Sequence, residues 1–476
     1  RFFSHSPSRK DGHTTSWSRP RTGSIASSSH STFYWMPRPI LLVTGANAGL
    51  GLGVCERLLI QMASTVPPDS AMLDKPAHAA ASTPFHAGEG CTMLLACRNQ
   101  AKARDAVLHL QAVLQRLYYT DDAYLEKHGV PKPASALDTG PGAEVATTSA
   151  VENASALLRR RDKTDERRSM PLDDRTRNAR TLYRQSFCKG THIEAVPLDL
   201  ASLASTKACV EAVKAKVPYL THIILNAGGA AWLGIDWLGA TWEILTNLHK
   251  AVTIPSYKLQ RSGDKSQDGF GWVWQINAGG HYVLTKQLEP LLIASPYTEP
   301  SRVIWTGSLE ANEADFHAND LQCIDPHTSP RPYESTKYQC ELLALGMDQR
   351  YASSQQAHMP RAYTAHPGIV ATSIFSGVIP AFMLIMMKLV FYLARWTLSP
   401  HHPIDVYKGA VAASYVAVAP GSYLDSTVRY GAQSTITGRE YVHAGRVDGW
   451  DHDASRIMKR ASDLVDAFDH WLQTCA

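Results

Sequence analysis

Two rhythms of apolar and polar positions alternate along this 476-residue chain. Short runs rich in aliphatic and β-branched residues recur, each followed by a longer stretch with helical spacing. Ile40 to Thr44 reads as a first strand, Gly49 to Gln61 as the helix after it, and Met93 to Ala96 as a second strand before a helix from about Ala101 to Tyr118. His192 to Pro197, His222 to Asn226, Arg302 to Trp305 and Ala362 to His366 continue the series. Strands alternating with helices predict βαβ units, hence an α/β fold with a doubly wound parallel sheet in one domain. Near the end, ITGREYVHAGRV at 436–447 carries a last strand and AFDHWL a closing helix.

The rhythm is interrupted twice. A Pro/Ala/Ser-rich stretch, 62–90, and a polar stretch, 120–188, are expected to be surface excursions, since added loop length costs little entropy and such composition rarely packs. Residues 1–35 are Ser- and Arg-rich with one acidic residue, Asp11, a composition found in transit peptides. Met36 stands directly before PRPILLVTG, and the reading taken here is that the domain is 36–476, preceded by a disordered or non-native extension.

An apolar share of 44% suffices for a sizeable core. A net charge of +4 implies no nucleic-acid partner, and RRRDKTDERR at 159–168 mixes both signs as a solvated surface does. The eight cysteines form no CxxC pair and no zinc spacing, and the histidines form no HExxH. Reduced thiols and chemistry without a metal are expected.

The first strand runs into VTGANAGLGLG, which places Thr44, Gly45, Asn47, Gly49, Leu50 and Gly51 between a strand and a helix. Glycines there allow a tight turn and close approach of backbone to a pyrophosphate, whose charge meets the helix N-terminus, as in Rossmann-like folds. At the end of the second strand Arg98 offers a cation for a 2′-phosphate where an acidic residue would accept from a free hydroxyl, so NADP(H) is the expected cofactor. After the third strand, Asp199 can accept from the adenine amino group or cap the next helix, while Leu200 packs. The fourth strand ends in NAGG, where Asn226, Ala227 and Gly228 permit a close cofactor contact.

NAGG recurs at Asn277 to Gly280, inside a helical pattern. Further on, PYESTKY sets Tyr333 and Lys337 four apart on one helix face. A phenol ionises near pH 10, about three units too high for easy exchange at neutral pH. A nearby ammonium is expected to lower that value.

TGANAGLG, NAG, Ser308 in IWTGSLE and YESTK, in this order, resemble the short-chain dehydrogenase/reductase superfamily. The resemblance implies a tetrad of Asn277, Ser308, Tyr333 and Lys337. Tyr333 would protonate the substrate oxygen, Ser308 hold it, Lys337 bond the nicotinamide ribose, and Asn277 fix a water. Pro367 and Gly368 resemble the nicotinamide-side loop and Thr372 its carboxamide contact. LEANEADFHANDLQCIDPHTSPRP, IDWLGATWEILTN and QRSGDKSQDGFGWVWQIN look more narrowly like the fungal 3-ketosteroid reductases of ergosterol synthesis. That resemblance implies NADPH-dependent reduction of a 3-keto sterol to the 3β-alcohol beside the enzymes of sterol C4 demethylation. Ala278 and Gly279 are smaller than that pattern expects.

VIPAFMLIMMKLVFYLARW follows, within an apolar segment at 374–396. Spanning a bilayer takes about 20 apolar residues, and Lys388 and Pro380 disfavour it. The expectation is a helix that lids a sterol pocket and touches a membrane surface, at the cytosolic face of the endoplasmic reticulum or on lipid droplets. A buried core or dimer helix is the alternative. Reduction of retinal or another lipophilic carbonyl, and a scaffolding role in a sterol-synthesis complex, are the competing functions.

Overall fold

Eight strands form one sheet in the order β10-β9-β8-β7-β4-β1-β2-β3, and only β10 runs antiparallel to its neighbour. This computed structural model describes residues 37–72, 75, 77–120, 174–371 and 381–475, all within one unit, Pro37–Ala476. The extension 1–35, most of the second insertion and Thr372 therefore lie outside the described residues.

In chain order the sheet strands are β1 (Ile40–Thr44), β2 (Thr92–Cys97), β3 (His192–Pro197), β4 (His222–Leu225), β7 (Arg302–Thr306), β8 (Arg361–His366), β9 (Arg429–Ser434) and β10 (Glu440–Gly445). β5 (Trp232–Ile235) and β6 (Lys258–Gln260) form a separate antiparallel pair. The helices are α1 (Gly49–Met62), α2 (Gln100–Tyr119), α3 (Asp174–Gly190), α4 (Leu203–Lys216), α5 (Trp237–Thr246), α6 (Leu248–Thr253) and α7 (Trp272–Trp274). They continue with α8 (Gly280–Ile293), α9 (Pro332–Ser353), α10 (Ala381–Trp396), α11 (Val406–Gly409), α12 (Val411–Val418) and α13 (Ala454–Thr474).

All five side chains of β1 are buried, and the period of two divides them. Leu41 and Val43 enter the core under α1, α2 and α12, whereas Ile40 and Leu42 enter the core under α4, α8, α9 and α13. Strands covered on both faces read as continuous apolar runs, which is why the sequence shows them. β1 pairs with β2 on one side and β4 on the other, so the winding reverses at β1 and a crevice opens at the carboxyl ends of both.

Six strands lie within one residue of their predicted ends. β9, RYGAQS, has no apolar run and escaped notice, although five of its residues, Tyr430 to Ser434, are buried between β8 and β10.

The stretch 62–90 contradicts its expectation by packing. Arg57 of α1 holds Asp69 through Nε at 2.6 Å and Nη2 at 2.8 Å, with both side chains almost wholly buried. Phe85 is fully buried with its ring 4.4 Å from that of His222 and 5.0 Å from the guanidinium of Arg302. A fork-shaped ion pair and one aromatic plug anchor a segment whose composition promised neither. The end of the second insertion packs too, through α3 and the buried Phe187.

Candidate active site

At the crevice the first turn is built for close approach. Gly45 has φ +67°, and a Cβ on it would lie 2.9 Å from Ala227 Cα. A Cβ on Gly51 would lie 2.4 Å from Gly45 O. The cap of α1, Ala48, offers no side-chain bond, and no acidic residue occupies the first turn. The opening N–H groups of α1 thus face a cavity of about 660 Å³ lined by Asn47, Gly49, Leu50 and Gly51. Arg98 is exposed at the rim beyond β2, while its neighbour Asn99 caps α2 by accepting from Lys102 N at 3.0 Å. Leu200 and Asp199 line the next stretch of wall. Asp199 is not a helix cap: its carboxylate accepts from Ala201 N, and Ser202 caps α4. Pro367 and Gly368 close the far side, where Gly368 has φ +66° and a Cβ would meet Ala432 O at 2.5 Å. Uncapped N–H groups, a glycine cradle and one rim cation fit a dinucleotide bearing phosphates.

The two NAGG copies meet in space. Asn277 Oδ1 accepts from Gly229 N at 3.0 Å, and its Nδ2 donates to Gly229 O at 2.9 Å and to Thr336 Oγ1 at 3.1 Å. A Cβ on Gly228 would sit 2.4 Å from Asn277 Oδ1. Asn277 lies in a π-helical turn, Gln275–Gly279, between α7 and α8, and is buried behind the cavity wall. Expected as a catalytic residue, it positions the first copy of the motif. The small residues after it have their reason as well: a Cβ on Gly279 would press 2.8 Å from the Trp274 ring, and one on Gly280 would lie 2.8 Å from Leu200 O.

Thr44 also differs from its expectation as a cofactor contact. It is fully buried, and its hydroxyl accepts from Asn226 N and Ala227 N, each at 2.9 Å. His281, absent from the sequence reading, bonds the same hydroxyl through Nε2 at 2.9 Å while its Nδ1 meets Asn277 O at 2.9 Å. A carbonyl only accepts, so Nδ1 carries the proton and Nε2 receives the Thr44 hydroxyl. Burial pushes His281 down to about 3, which keeps the ring neutral.

Tyr333, Lys337 and Ser308 do share the cavity wall. Pro332 opens α9, and Tyr333 and Lys337 follow one turn apart, with Lys337 Nζ 5.9 Å from the Tyr333 ring centre. Ser308 lies close enough to the Tyr333 phenol to favour its ionised form, and Lys337 Nζ donates to Thr306 O at 2.9 Å. The direction of the phenol's shift corrects the sequence reading. Burial raises Tyr333, the nearby Glu310 carboxylate raises it further, and only Ser308 pulls it down. Burial also lowers Lys337. Desolvation outweighs the ammonium because neither group is open to water. The phenol is held protonated, as a proton donor must be.

Three curated relatives share this chain's sequence. A 3-keto-steroid reductase of Eremothecium gossypii is 32% identical over 274 residues, covering 57% of this chain and 75% of that protein. One of Kluyveromyces lactis is 33% identical over 252 residues, covering 53% and 70%. The chain belongs to the 3-keto-steroid reductase family. A third member, from Aspergillus fumigatus, is 27% identical over 454 residues, covering 87% of this chain and 82% of the relative. No family model matches the chain.

Around Tyr333 this family member carries groups that sequence reasoning missed. The β5–β6 pair lies against α9: Gln260 Oε1 accepts from Tyr333 N at 3.2 Å, and the Trp232 ring lies 5.7 Å from the phenol ring. Lys258 stacks over Trp232 at 4.7 Å and pairs with Glu310. The two strands are joined by residues 236–257, which carry α5 and α6. Those strands are four and three residues long, too short for a period to show.

The opposite wall is apolar and comes from α5, α6 and α10. Trp237, Ala240, Ile244, Met387, Val390 and Phe391 line it. α10 is no buried core helix, since Ile385, Met386, Leu389, Leu393 and Trp396 are exposed.

Proposed function

We propose that this protein reduces the 3-ketone of a sterol to the 3β-alcohol with NADPH. The observation that carries the proposal is the meeting, in one cavity, of Tyr333, Ser308 and Lys337, the glycine cradle and an apolar wall. The names of its relatives support the substrate. When bound, the dinucleotide supplies the hydride that adds to the carbonyl carbon. Tyr333 Oη gives its proton to the carbonyl oxygen, Ser308 Oγ orients that oxygen, and Lys337, anchored on Thr306 O, contributes positive charge beneath it. Arg98 at the rim favours a 2′-phosphate. With cholestan-3-one as the ketone, the purified protein is expected to oxidise NADPH, and Tyr333→Phe to lower kcat by on the order of 10² to 10⁴. Equal turnover by the phenylalanine variant would remove Tyr333 as the proton donor; sterol accumulation in cells on deletion of the protein but not on Tyr333→Phe would make scaffolding its main role.

We further propose that α5 and α10 touch a membrane surface, placing the protein at the cytosolic face of the endoplasmic reticulum near the sterol C4-demethylation enzymes. Trp242 and Leu245 of α5 and Trp396 of α10 are 71%, 78% and 60% exposed beside the cavity, an apolar face larger than a water-facing surface needs. Among the described residues no helix is long and apolar enough to cross a membrane, so the contact proposed is peripheral. Flotation with phosphatidylcholine vesicles is expected to carry the wild type upward and leave the Trp242→Ser/Leu245→Ser variant behind. Flotation of both alike removes the contact.

A further inference from the structure

The β5–β6 pair brings a buried ion cluster up to the Tyr333 phenol, and the chemistry just described does not use it. Lys258 of β6 forms a salt bridge with Glu310 and lies 3.8 Å from Glu334 Oε1. Exposure of the three side chains is only 6%, 15% and 7%, so their charges act through little water. Glu310 is two residues beyond Ser308, and its N–H donates to Ser308 Oγ at 3.2 Å, which ties the carboxylate's backbone to the phenol's own partner. Glu334 follows Tyr333 directly and receives the Gln260 amide at 2.5 Å. One cation thus faces two carboxylates in the wall that bears Tyr333.

Among the described residues, the groups that act on Tyr333 come from α9, the segment after β7, β6 and β5. α9 supplies Glu334, Lys337 and Cys340, and the segment after β7 supplies Ser308 and Glu310. β6 supplies Lys258, which reaches Tyr333 through Glu310 and Trp232, while Arg331 acts on Glu310 from before α9. β5 presents only the Trp232 ring. Of the charged groups acting directly on the phenol, Glu310 has the largest effect.

We propose that Lys258 and Glu310 are positioning residues that set how readily Tyr333 releases its proton, Glu310 holding the proton on the phenol and Lys258 limiting that hold. The inference rests on Tyr333 being the proton donor. A donor held too loosely is ionised at working pH, and one held too tightly transfers slowly; a carboxylate with a tethered cation lies between these limits. The balance favours ketone reduction, because the phenol must start protonated in that direction.

The test is the pH profile of kcat/KM for reduction of cholestan-3-one by NADPH, in the full chain. Reduction fails as Tyr333 ionises, so its alkaline limb reports the phenol. Glu310→Gln removes the nearer carboxylate, leaves Lys258 with Glu334 alone and is expected to move that limb down by about one pH unit. Lys258→Met is expected to move it up and to slow reduction at neutral pH. K258M/E310Q is expected to return the limb close to wild type, as a purely structural role would not. Should Lys258→Met fail to fold, the contrast between Glu310→Gln and the double variant still decides, since neither contains a lone carboxylate of the pair. Coincident limbs in those two variants and the wild type overturn the proposal. Tyr333→Phe separates the two levels: if it keeps wild-type turnover, the proton-donor reading fails. If it is inactive while the other profiles coincide, only the role of the ion pair fails.

Discussion

The two walls of the cavity were made in different ways. The nucleotide side is built from backbone: Gly45, Gly51, Gly228 and Gly368 each lie where a Cβ would strike within 3 Å of another atom. The substrate side is built from side chains on the β5–β6 pair and on helices α5, α6 and α10, with large apolar groups facing both inward and out. Backbone contact tolerates one residue type at fixed positions, so it leaves a short local signature. A side-chain wall can be filled by many combinations, and leaves none.

Four variants would break or sharpen that contrast. The largest effect on cofactor binding is expected from Gly228→Ala, whose Cβ would lie 2.4 Å from Asn277 Oδ1. It should part the two NAGG copies and cost about 1–3 kcal/mol of stability with most NADPH affinity, measured by urea unfolding and by quenching of tryptophan fluorescence. Unchanged affinity would mean that the backbone wall yields as easily as the other. Arg57→Ala leaves Asp69 buried without its fork and should cost about 3–5 kcal/mol, read from the same unfolding curves. A loss below the uncertainty of the extrapolation would return the stretch 62–90 to the status of a loose excursion.

Acid should weaken the core beneath the backbone wall. Burial lowers both His222 and His281 to about 3. Their folded pKa values lie below the unfolded value of about 6.5, so the stability tied to their neutral rings is complete above that pH and is lost as pH falls toward 3. Replacing both by Gln should flatten unfolding free energy against pH in this window. An equally steep slope in the double variant would assign the effect to the carboxylates. The smallest change is expected from Arg98→Ala, a rim residue. KM for NADPH should rise by about tenfold while KM for NADH hardly moves, since a charged hydrogen bond is worth about 1.5 kcal/mol. An equal rise for both would detach Arg98 from the 2′-phosphate.

Much of the site was legible because its chemistry is local. Tyr333 and Lys337 share a helix turn, and the first glycine turn is contiguous in sequence. Only packing shows that the side chains of Thr44 and Asn277 are buried and hold other residues of the site. Their partner His281 carries no signal in sequence, for a lone histidine in an apolar helix is common. The direction of the Tyr333 shift failed for a related reason. Its neighbour in sequence is a cation one turn away, but Glu310, brought from another strand, and burial itself dominate.

From its sequence alone this protein determined the parallel sheet, the nucleotide crevice and the placing of Tyr333 one turn from Lys337, since periodicity, glycine turns and helical spacing act between near neighbours. Only the tertiary structure decided that the two NAGG motifs touch, that 62–90 packs, and that Lys258 of β6 meets Glu310 beside Tyr333. Those outcomes depend on desolvation and on contacts between distant segments, and neither exists until the chain has closed on itself.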